Sequence, residues 1–138
     1  MKIIGIKIIN NKIIKNSKGD IRKFLNNKSK VFQKFGEIYF SCVKKNKIKG
    51  WNYHKKNRCL ISLVSGKIEL NFLDERKNSK TYKIRNKVIL HEKKNTTILV
   101  PPKIWFCIKS LGKNSILVNL LDNIHTKSET KKKQITNI

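Results

Sequence analysis

Short runs that alternate apolar and polar residues cover most of the chain and predict β-strands. The clearest are residues 37–43, 68–73, 97–100, 105–108 and 116–121. About ten such runs follow one another with hardly any stretch of helical period. Pro101 and Pro102 end one of them, because proline cannot donate a hydrogen bond to a sheet. The pattern predicts an all-β barrel or sandwich of a single domain.

The two ends of the chain differ from this regular pattern. Residues 3–9 and 12–15 are β-favouring runs separated by Asn10 and Asn11, a turn-compatible pair, and they predict an N-terminal hairpin. Isoleucines fall on both faces of this hairpin, more than one barrel wall can bury, so we expect a homodimer. We therefore assign residues 1–125 to the barrel and residues 126–138 to a polar, basic tail that is helical or frayed.

The central segment, residues 49–56, carries the densest set of polar and aromatic side chains. An apolar run and a turn at Gly66 follow it, so it is predicted to be a strand on the inner wall of a small barrel. Asn52 and His54 are two residues apart and therefore lie on one face of that strand. His54 is the residue of this segment that exchanges protons near neutral pH, which makes it the candidate catalytic group.

Length and composition limit the classes of protein. With 138 residues and 38% hydrophobic content the chain can bury one core. Lysines interrupt the apolar N-terminus, and no run approaches the roughly 18 apolar residues of a membrane span, so we expect a cytoplasmic protein without a membrane partner. Three cysteines without a C-x-x-C pair predict reduced, buried thiols.

The formal net charge of +25 raises the question of nucleic-acid binding. Most of the charge is lysine, spread along the chain beside abundant Ile and Asn, which is typical of A/T-rich codon usage. No recognition helix, aromatic RNA-binding motif or zinc finger accompanies it, so specific nucleic-acid binding is not expected. Salt-dependent binding of polyanions or RNA remains as a remote alternative function.

Six short motifs occur in a fixed order over most of the chain, and together they carry a resemblance to a known family. They begin at Gly19, Gly36, Gly50, Asp74, Val100 and Asp122. On these motifs the chain resembles the dTDP-4-dehydrorhamnose 3,5-epimerase family, and more closely its epimerase-like branch found with sugar-nucleotide and surface-polysaccharide genes. The resemblance implies a cupin-type double-stranded β-helix, or jelly-roll barrel, that uses no metal or organic cofactor and forms dimers.

The resemblance also implies which positions carry the family's catalytic groups, and this chain differs there. Asn52 stands where the family has its histidine base, and Cys59 where it has a lysine. Phe106 replaces a second histidine, and Val118 matches the tyrosine that reprotonates the sugar. In related sugar-nucleotide 3,4-ketoisomerases a His-x-His pair occupies the positions of Asn52 and His54, so this chain resembles that pair with its first histidine replaced.

The candidate site therefore has His54 as its catalytic residue. The resemblance aims Arg22 at the nucleotide-sugar, and Lys49 and Arg58 add positive charge that suits a diphosphate. A ligand-contact or structural role for His54, and a packing role for the tryptophans, are the alternatives. The full set of predicted substrate-binding residues is Arg22, Lys49, Trp51, Asn52, Arg58 and Trp105.

Two classes of function remain open from the sequence. The first is an epimerase or isomerase that acts on a dTDP- or UDP-linked 4-keto-hexose in deoxysugar biosynthesis, with 3,4-ketoisomerisation as a variant. The second is a non-catalytic cupin that binds a nucleotide-sugar or glycan, because the usual base, lysine and tyrosine are replaced together. No metal is expected in either case, since one imidazole without a nearby carboxylate ligand holds a divalent ion poorly.

Overall fold

The computed structural model describes residues 2–134 and is built almost entirely from β-strands. One 3₁₀ turn, Lys127–Glu129, accompanies twelve strands in the described residues. The strands are β1 (Lys7–Asn10), β2 (Ile13–Ile14), β3 (Ile21–Arg22), β4 (Glu37–Val43), β5 (Ile48–His54), β6 (Cys59–Ser65), β7 (Lys67–Asp74), β8 (Arg85–His91), β9 (Thr96–Val100), β10 (Ile104–Ser110), β11 (Ser115–Leu121) and β12 (Thr130–Lys132).

Two five-stranded antiparallel sheets make up the barrel. One has the order β1-β9-β6-β11-β4 and the other β12-β5-β10-β7-β8, while β2 and β3 form a separate ribbon. Strands distant in sequence are neighbours, since β4 pairs with β11 and β5 with β10. This arrangement is the jelly roll of a cupin, so the prediction of an all-β double-stranded β-helix is confirmed.

The hydrophobic core fills the space between the inner faces of the two sheets. Strand β7 shows how the sequence produces it: Ile68, Leu70 and Phe72 point inward and are at most 1% exposed, while Lys67, Glu69 and Asn71 alternate with them. The alternation of apolar and polar residues at 68–73 therefore matches the alternation of buried and less buried side chains along β7. This is the pattern of a strand with one face in the core.

The predicted N-terminal hairpin is wrong. Strand β1 pairs with β9, with Lys7 opposite Leu99, and β2 pairs with β3, with Ile13 opposite Arg22. Asn11 makes no hairpin turn, because its backbone amide donates to the Asn95 carbonyl oxygen at 2.8 Å and its side-chain amide to the Thr97 hydroxyl at 2.6 Å. The edge of β9 thus supplies the backbone partners that the hairpin was expected to provide.

The C-terminal tail is more ordered than the sequence predicted. Strand β12 extends one sheet by pairing with β5, with Thr130 opposite His54 and Lys132 opposite Asn52. On its outer side Lys131 lies 5.4 Å from the centre of the Tyr53 ring. A free strand edge beside an aromatic surface holds the basic tail through hydrogen bonds and cation–π contacts. Residues 135–138 of the predicted tail lie outside the described residues.

A buried carboxylate organises the loop between β7 and β8. The Asp74 side chain is fully buried and accepts hydrogen bonds from the Arg76 guanidinium at 2.8 Å and from the Ser79 and Thr81 hydroxyls at 2.7 Å. Burial alone would raise the pKa of this carboxyl, but the hydrogen bonds from these three residues outweigh it and hold the pKa well below 3.8. The chain therefore turns around Asp74 between β7 and β8.

Replacing Asp74 by asparagine should destabilise the protein by about 3 kcal/mol, because Arg76 then keeps a partly buried charge without its partner. Urea unfolding at pH 7 followed by tryptophan fluorescence measures this change. Asp20→Asn is the matched control, since Asp20 pairs with Lys15 on the surface and its loss should leave the unfolding midpoint unchanged. Equal midpoints for the two variants would contradict the structural role of Asp74.

Candidate functional site

A cavity of about 340 Å³ opens between the two sheets of the barrel. Its floor is apolar and includes Phe106, Ile108 and Leu117. Its polar wall is supplied by β4, β5, β11 and β12, which together converge on one space. Its polar side chains include Tyr39, Lys49, Asn52, His54, Asn119 and Lys132.

A bulge in β5 brings three of these side chains to the same side. Simple alternation would place Lys49 and Asn52 on opposite faces, but the pairing of β5 with β10 shifts by one residue between Phe106 and Ile108. Gly50 lies in the bulge at φ +116°, and a β-carbon there would come within 2.8 Å of the Cys107 β-carbon. Glycine is therefore required for the local geometry that lets Lys49, Asn52 and His54 all line the cavity.

His54 is held by a carboxylate from the C-terminal segment. Its Nδ1 lies 2.7 Å from Glu129 Oε2, and both side chains are at most 10% exposed. The other oxygen of Glu129 accepts hydrogen bonds from the backbone amides of Lys56 and Asn57, both at 2.9 Å. A carboxylate accepts and does not donate, so Nδ1 carries the proton, and in the neutral ring Nε2 is the basic nitrogen.

The ionised form of Glu129 is favoured by its surroundings. Burial would raise the pKa of its carboxyl, but hydrogen bonds from the backbone amides of Asn57 and Lys56 and from His54 outweigh burial and lower the pKa below 4.5. The pair is further fixed by the Phe106 ring, which stacks on the His54 ring with centroids 6.1 Å apart. The arrangement presents a fixed imidazole to the cavity as a proton acceptor.

Across the cavity, Tyr39 and Asn119 form a second polar group. The Asn119 side-chain amide donates to the Tyr39 hydroxyl at 2.8 Å, and Asn119 is 3% exposed. Within residues 2–134 no group hydrogen-bonds the buried Asn119 Oδ1. Burial raises the pKa of Tyr39 to about 12, so its phenol stays protonated at physiological pH.

Two lysines supply the positive charge of the cavity. Lys49 Nζ donates to the Ser41 hydroxyl at 3.0 Å, which connects β5 to the facing strand β4. Lys132 lies opposite Asn52 in the pairing of β12 with β5 and also lines the cavity. An anionic group that enters this space therefore meets two ammonium groups.

The two arginines predicted to bind the diphosphate lie outside the cavity that contains His54. Arg22 donates to the backbone oxygens of Glu92 at 2.8 Å and Val64 at 2.6 Å. Arg58 donates to the Val31 backbone oxygen at 3.1 Å, in a shallow recess outside the barrel. Both guanidinium groups bind backbone carbonyl groups, and neither lines the cavity that contains His54.

The two predicted tryptophans also lie outside this cavity. Trp51 and Trp105 are 3% and 8% exposed and pack with Leu73 and Cys107 on the outer face of the second sheet. Lys133 lies over the Trp105 ring at 4.5 Å from its centre, so the C-terminal segment covers this cluster. The alternation of β5 and β10 turns both indole rings away from the cavity.

Three positions that the resemblance singled out face different environments. Cys59 lies in the core, and burial raises the pKa of its thiol to about 12, so it stays protonated. Val118 pairs with Phe40 and alternates with the inward-facing Leu117 and Asn119. The polar side chain of β11 that lines the cavity is therefore that of Asn119, next to Val118. Cys42 is exposed, against the expectation that all cysteines are buried.

Sequence reasoning missed Glu129, Tyr39 and Lys132. Glu129 stands in a basic tail, and its position as the one carboxylate among residues 126–134 was the signal that could have singled it out. Tyr39 alternates with Ser41 in a predicted strand and so could have been assigned an inward position. His125 lies with its ring 6.3 Å from that of His54 and also lines the cavity.

Two further findings concern other classes of site. Among residues 2–134, His, Cys, Asp and Glu side chains form no group of three that could hold a metal ion. Across the same described range the chain forms no helix of the length and apolar character needed to cross a bilayer. A larger recess of about 720 Å³ lies outside the barrel beside Tyr53, Arg76 and Lys103, but it contains none of the cavity's polar groups.

A jelly roll with a polar cavity between its sheets defines the class of this protein as a cupin. A comparison with protein-family models matches residues 1–136 to dTDP-4-dehydrorhamnose 3,5-epimerase. The chain belongs to the dTDP-4-dehydrorhamnose 3,5-epimerase family, a family of isomerases. No curated protein sequence gives a significant match to the chain.

Solved structures agree with this assignment. A dTDP sugar isomerase from Desulfovibrio desulfuricans is 25% identical with a TM-score of 0.92, over 96% of this chain and 85% of that one. A dTDP-4-dehydrorhamnose 3,5-epimerase from Bacillus anthracis, with TDP and PPi bound, is 21% identical with a TM-score of 0.86, over 95% and 82%. A 3,5-epimerase from Legionella pneumophila in complex with dTDP-4-keto-L-rhamnose is 19% identical with a TM-score of 0.87, over 96% and 74%.

The pair formed by Glu129 and His54 predicts a pH-dependent stability. Because the folded-state pKa of Glu129 is lowered, its contribution is present above pH 4.5 and is lost as the pH falls through the folded value. At pH 7 we expect Glu129→Gln to lower the free energy of unfolding by about 2 kcal/mol. Urea unfolding between pH 7 and pH 3 should show that the unfolding free energies of the wild type and of Glu129→Gln become equal as Glu129 is protonated. A difference in unfolding free energy that stays constant over this pH range would contradict an ionised Glu129 in the folded protein.

Proposed function

We propose that this protein is an epimerase or isomerase of deoxysugar biosynthesis that acts on a dTDP- or UDP-linked 4-keto-hexose. The observation that carries the proposal is the imidazole of His54, fixed by Glu129 and lining a polar cavity in a chain of this family. A base with these properties suits removal of a proton from a carbon next to a ketone. The nucleotide ligands of the similar Bacillus and Legionella structures support the choice of substrate class.

In this mechanism His54 takes the proton from the carbon next to the ketone, and the electrons of that carbon–hydrogen bond form an enolate. Glu129 stabilises the imidazolium that results, because its carboxylate lies 2.7 Å from Nδ1. Lys49 and Lys132 supply positive charge for the enolate oxygen or the diphosphate. These lysines take the role that the sequence assigned to Arg22 and Arg58, whose side chains bind backbone carbonyl groups.

A non-catalytic nucleotide-sugar-binding protein is the second candidate function. Asn52 and Phe106 favour it, because both line the cavity at positions where the resemblance implies histidines. An amide and a phenyl ring cannot exchange protons near neutral pH. This candidate predicts ligand binding without turnover, and a 3,4-ketoisomerase predicts proton exchange at C3 alone with a 3-keto product. The cytoplasmic location inferred from the sequence remains part of the proposal.

Incubation with dTDP-4-keto-6-deoxyglucose in deuterated buffer tests the proposal by NMR and mass spectrometry. We expect the wild type to exchange hydrogen at C3, at C5 or at both, and His54→Asn to lower the rate by about 10²- to 10⁴-fold. Both proteins should still gain thermal stability from dTDP, since binding to the native state alone raises the melting temperature.

His91→Asn is the matched control, because His91 ends β8 outside the cavity and its Nδ1 accepts a hydrogen bond from the Lys93 backbone amide. It should exchange hydrogen at the wild-type rate. Wild-type protein that binds dTDP but exchanges no hydrogen would favour the non-catalytic candidate. Affinity for RNA that falls steeply with salt, with no response to dTDP-sugars, would instead support the polyanion alternative.

We also propose that the protein is a homodimer, but with a different interface from the one predicted from the N-terminus. Ile3 lies in the core, and β1 pairs with β9 of its own barrel. The outer face of β4 and β11 carries a contiguous apolar patch in which Phe40 is 70% exposed and Ile38 and Ile116 are also exposed. A two-fold axis at this patch would cover it with its own copy, against the repulsion of the +25 charge.

Phe40→Lys should shift the protein from dimer to monomer in light scattering at physiological salt, with a dissociation constant raised at least about tenfold. Ile89→Lys adds the same charge at an exposed position of β8 and should leave the dimer unchanged. Deletion of the N-terminus is a poorer test, because it removes Ile3 from the core and β1 from the sheet. A Phe40→Lys variant that remains dimeric would place the interface elsewhere.

A further inference from the structure

Two histidine rings meet at the wall of the cavity. The rings of His54 and His125 are nearly perpendicular, at 80°, and their centroids lie 6.3 Å apart. Both residues line the cavity, but His54 is only 5% exposed whereas His125 is exposed. Within residues 2–134 the His125 ring nitrogens have no hydrogen-bond partner, since the bond of this residue is made by its backbone amide. The pair thus joins a buried imidazole to one that reaches solvent.

The loop that follows β11 holds His125 beside the buried ring. The backbone amide of His125 donates to Glu37 Oε2 at 2.8 Å, which binds the loop to the start of β4. The backbone amide of Asn123 donates to Asn57 Oδ1 at 3.0 Å, which binds the loop to the segment directly after His54. Two hydrogen bonds to separate parts of the barrel therefore keep the His125 backbone next to His54.

A proton on His54 Nε2 cannot leave through Glu129. Both oxygens of that carboxylate are occupied, one by His54 Nδ1 and the other by the backbone amides of Lys56 and Asn57. The two side chains of the pair are at most 10% exposed. The Phe106 ring, which exchanges no proton, stacks on the imidazole. The proton must therefore leave through the cavity, from which a bound sugar excludes water.

Among the described residues that line the cavity, His125 has the chemistry to carry this proton outward. Lys49 and Lys132 are ammonium groups without a lone pair, and burial raises the pKa of Tyr39 to about 12, so its phenol keeps its proton. The hydroxyl and amide groups of the wall do not change protonation near neutral pH. A neutral imidazole accepts a proton at one nitrogen and releases one from the other. One bridging water molecule suffices to connect two such rings.

We propose that His125 relays protons between His54 and bulk water while the sugar occupies the cavity. The inference rests on the proposed function and deepens it, and His125 acts through His54 without touching the reacting carbon. The carbon–hydrogen bond breaks, its proton bonds to His54 Nε2, and its electrons form the enolate. The Nε2–H bond then breaks as the bridging water passes a proton to the unprotonated nitrogen of His125. The opposite N–H of His125 gives a proton to bulk water, which leaves both rings neutral.

The relay decides what happens to the abstracted hydrogen. Without it, the proton stays on His54 Nε2 and returns to the carbon that it left, so the starting sugar re-forms unchanged. With it, hydrogen from the solvent replaces the abstracted one. Solvent exchange at the carbon next to the ketone therefore reports on His125, although His54 makes and breaks the carbon–hydrogen bond.

Exchange measured by NMR in deuterated phosphate buffer with saturating dTDP-4-keto-6-deoxyglucose tests the relay. We expect His125→Gln to exchange hydrogen about tenfold more slowly than the wild type, because an amide cannot pass on a proton. Free imidazole in the buffer should restore this variant to within about twofold of the wild-type rate and leave the wild type unchanged. His125→Phe, which keeps an aromatic ring beside His54, should show the same loss and the same rescue.

Ile124→Ala is the matched control, because Ile124 is the neighbouring residue of the same loop and is 70% exposed. It should exchange at the wild-type rate and not respond to imidazole. Wild-type exchange by both His125 variants would overturn the relay. A loss that imidazole does not restore, in variants that dTDP still stabilises against heat, would also overturn it. Either result leaves the proposed function intact, whereas absence of exchange in the wild type would overturn both.

Discussion

The contact between Glu129 and His54 is the interaction on which the rest of the site depends. It joins the end of the chain to the central strand β5, because Glu129 also accepts the amides of Lys56 and Asn57 and its backbone oxygen accepts that of Lys55. The segment so anchored continues as β12 and adds Thr130 and Lys132 to the cavity wall. One carboxylate therefore both orients the proposed base and completes the cavity around it.

The few acidic residues of the chain all make specific polar contacts. All eight take part in a hydrogen bond or ion pair, whereas 33 lysines and arginines leave a net charge of +25. Asp74 holds a loop and Glu129 holds the histidine, so these carboxylates secure structure at specific points. The excess positive charge raises the local concentration of anions, which favours capture of a nucleotide diphosphate.

The sequence predicted the barrel because its strands depend on local alternation, as in Ile68, Leu70 and Phe72 of β7. It predicted His54 and Asn52 in the cavity for the same reason. The arginines could not be placed, because Arg22 and Arg58 bind carbonyl groups of segments distant in sequence. The N-terminal hairpin was wrong because local turn chemistry at Asn10 and Asn11 competed with pairing to β9, a long-range contact.

The polar wall of the cavity depends both on local alternation within strands and on pairing between strands that are distant in sequence. Local alternation sets the direction of Tyr39, but its meeting with Asn119 arises from the pairing of β4 with β11. The bulge at Gly50 changes the face of β5 on which Lys49 lies. Regular alternation along a strand does not predict such a bulge. The polar residues that surround the proposed substrate thus come from strands that only the jelly-roll topology brings together.

A crystal structure with a dTDP-linked hexose bound would show whether the cavity is the substrate site. We expect the hexose to lie in the cavity beside His54, with the ring carbon next to the ketone within about 3.5 Å of His54 Nε2. A sugar nucleotide bound in the outer recess beside Tyr53 and Lys103, with the cavity free of the hexose, would contradict the role proposed for His54.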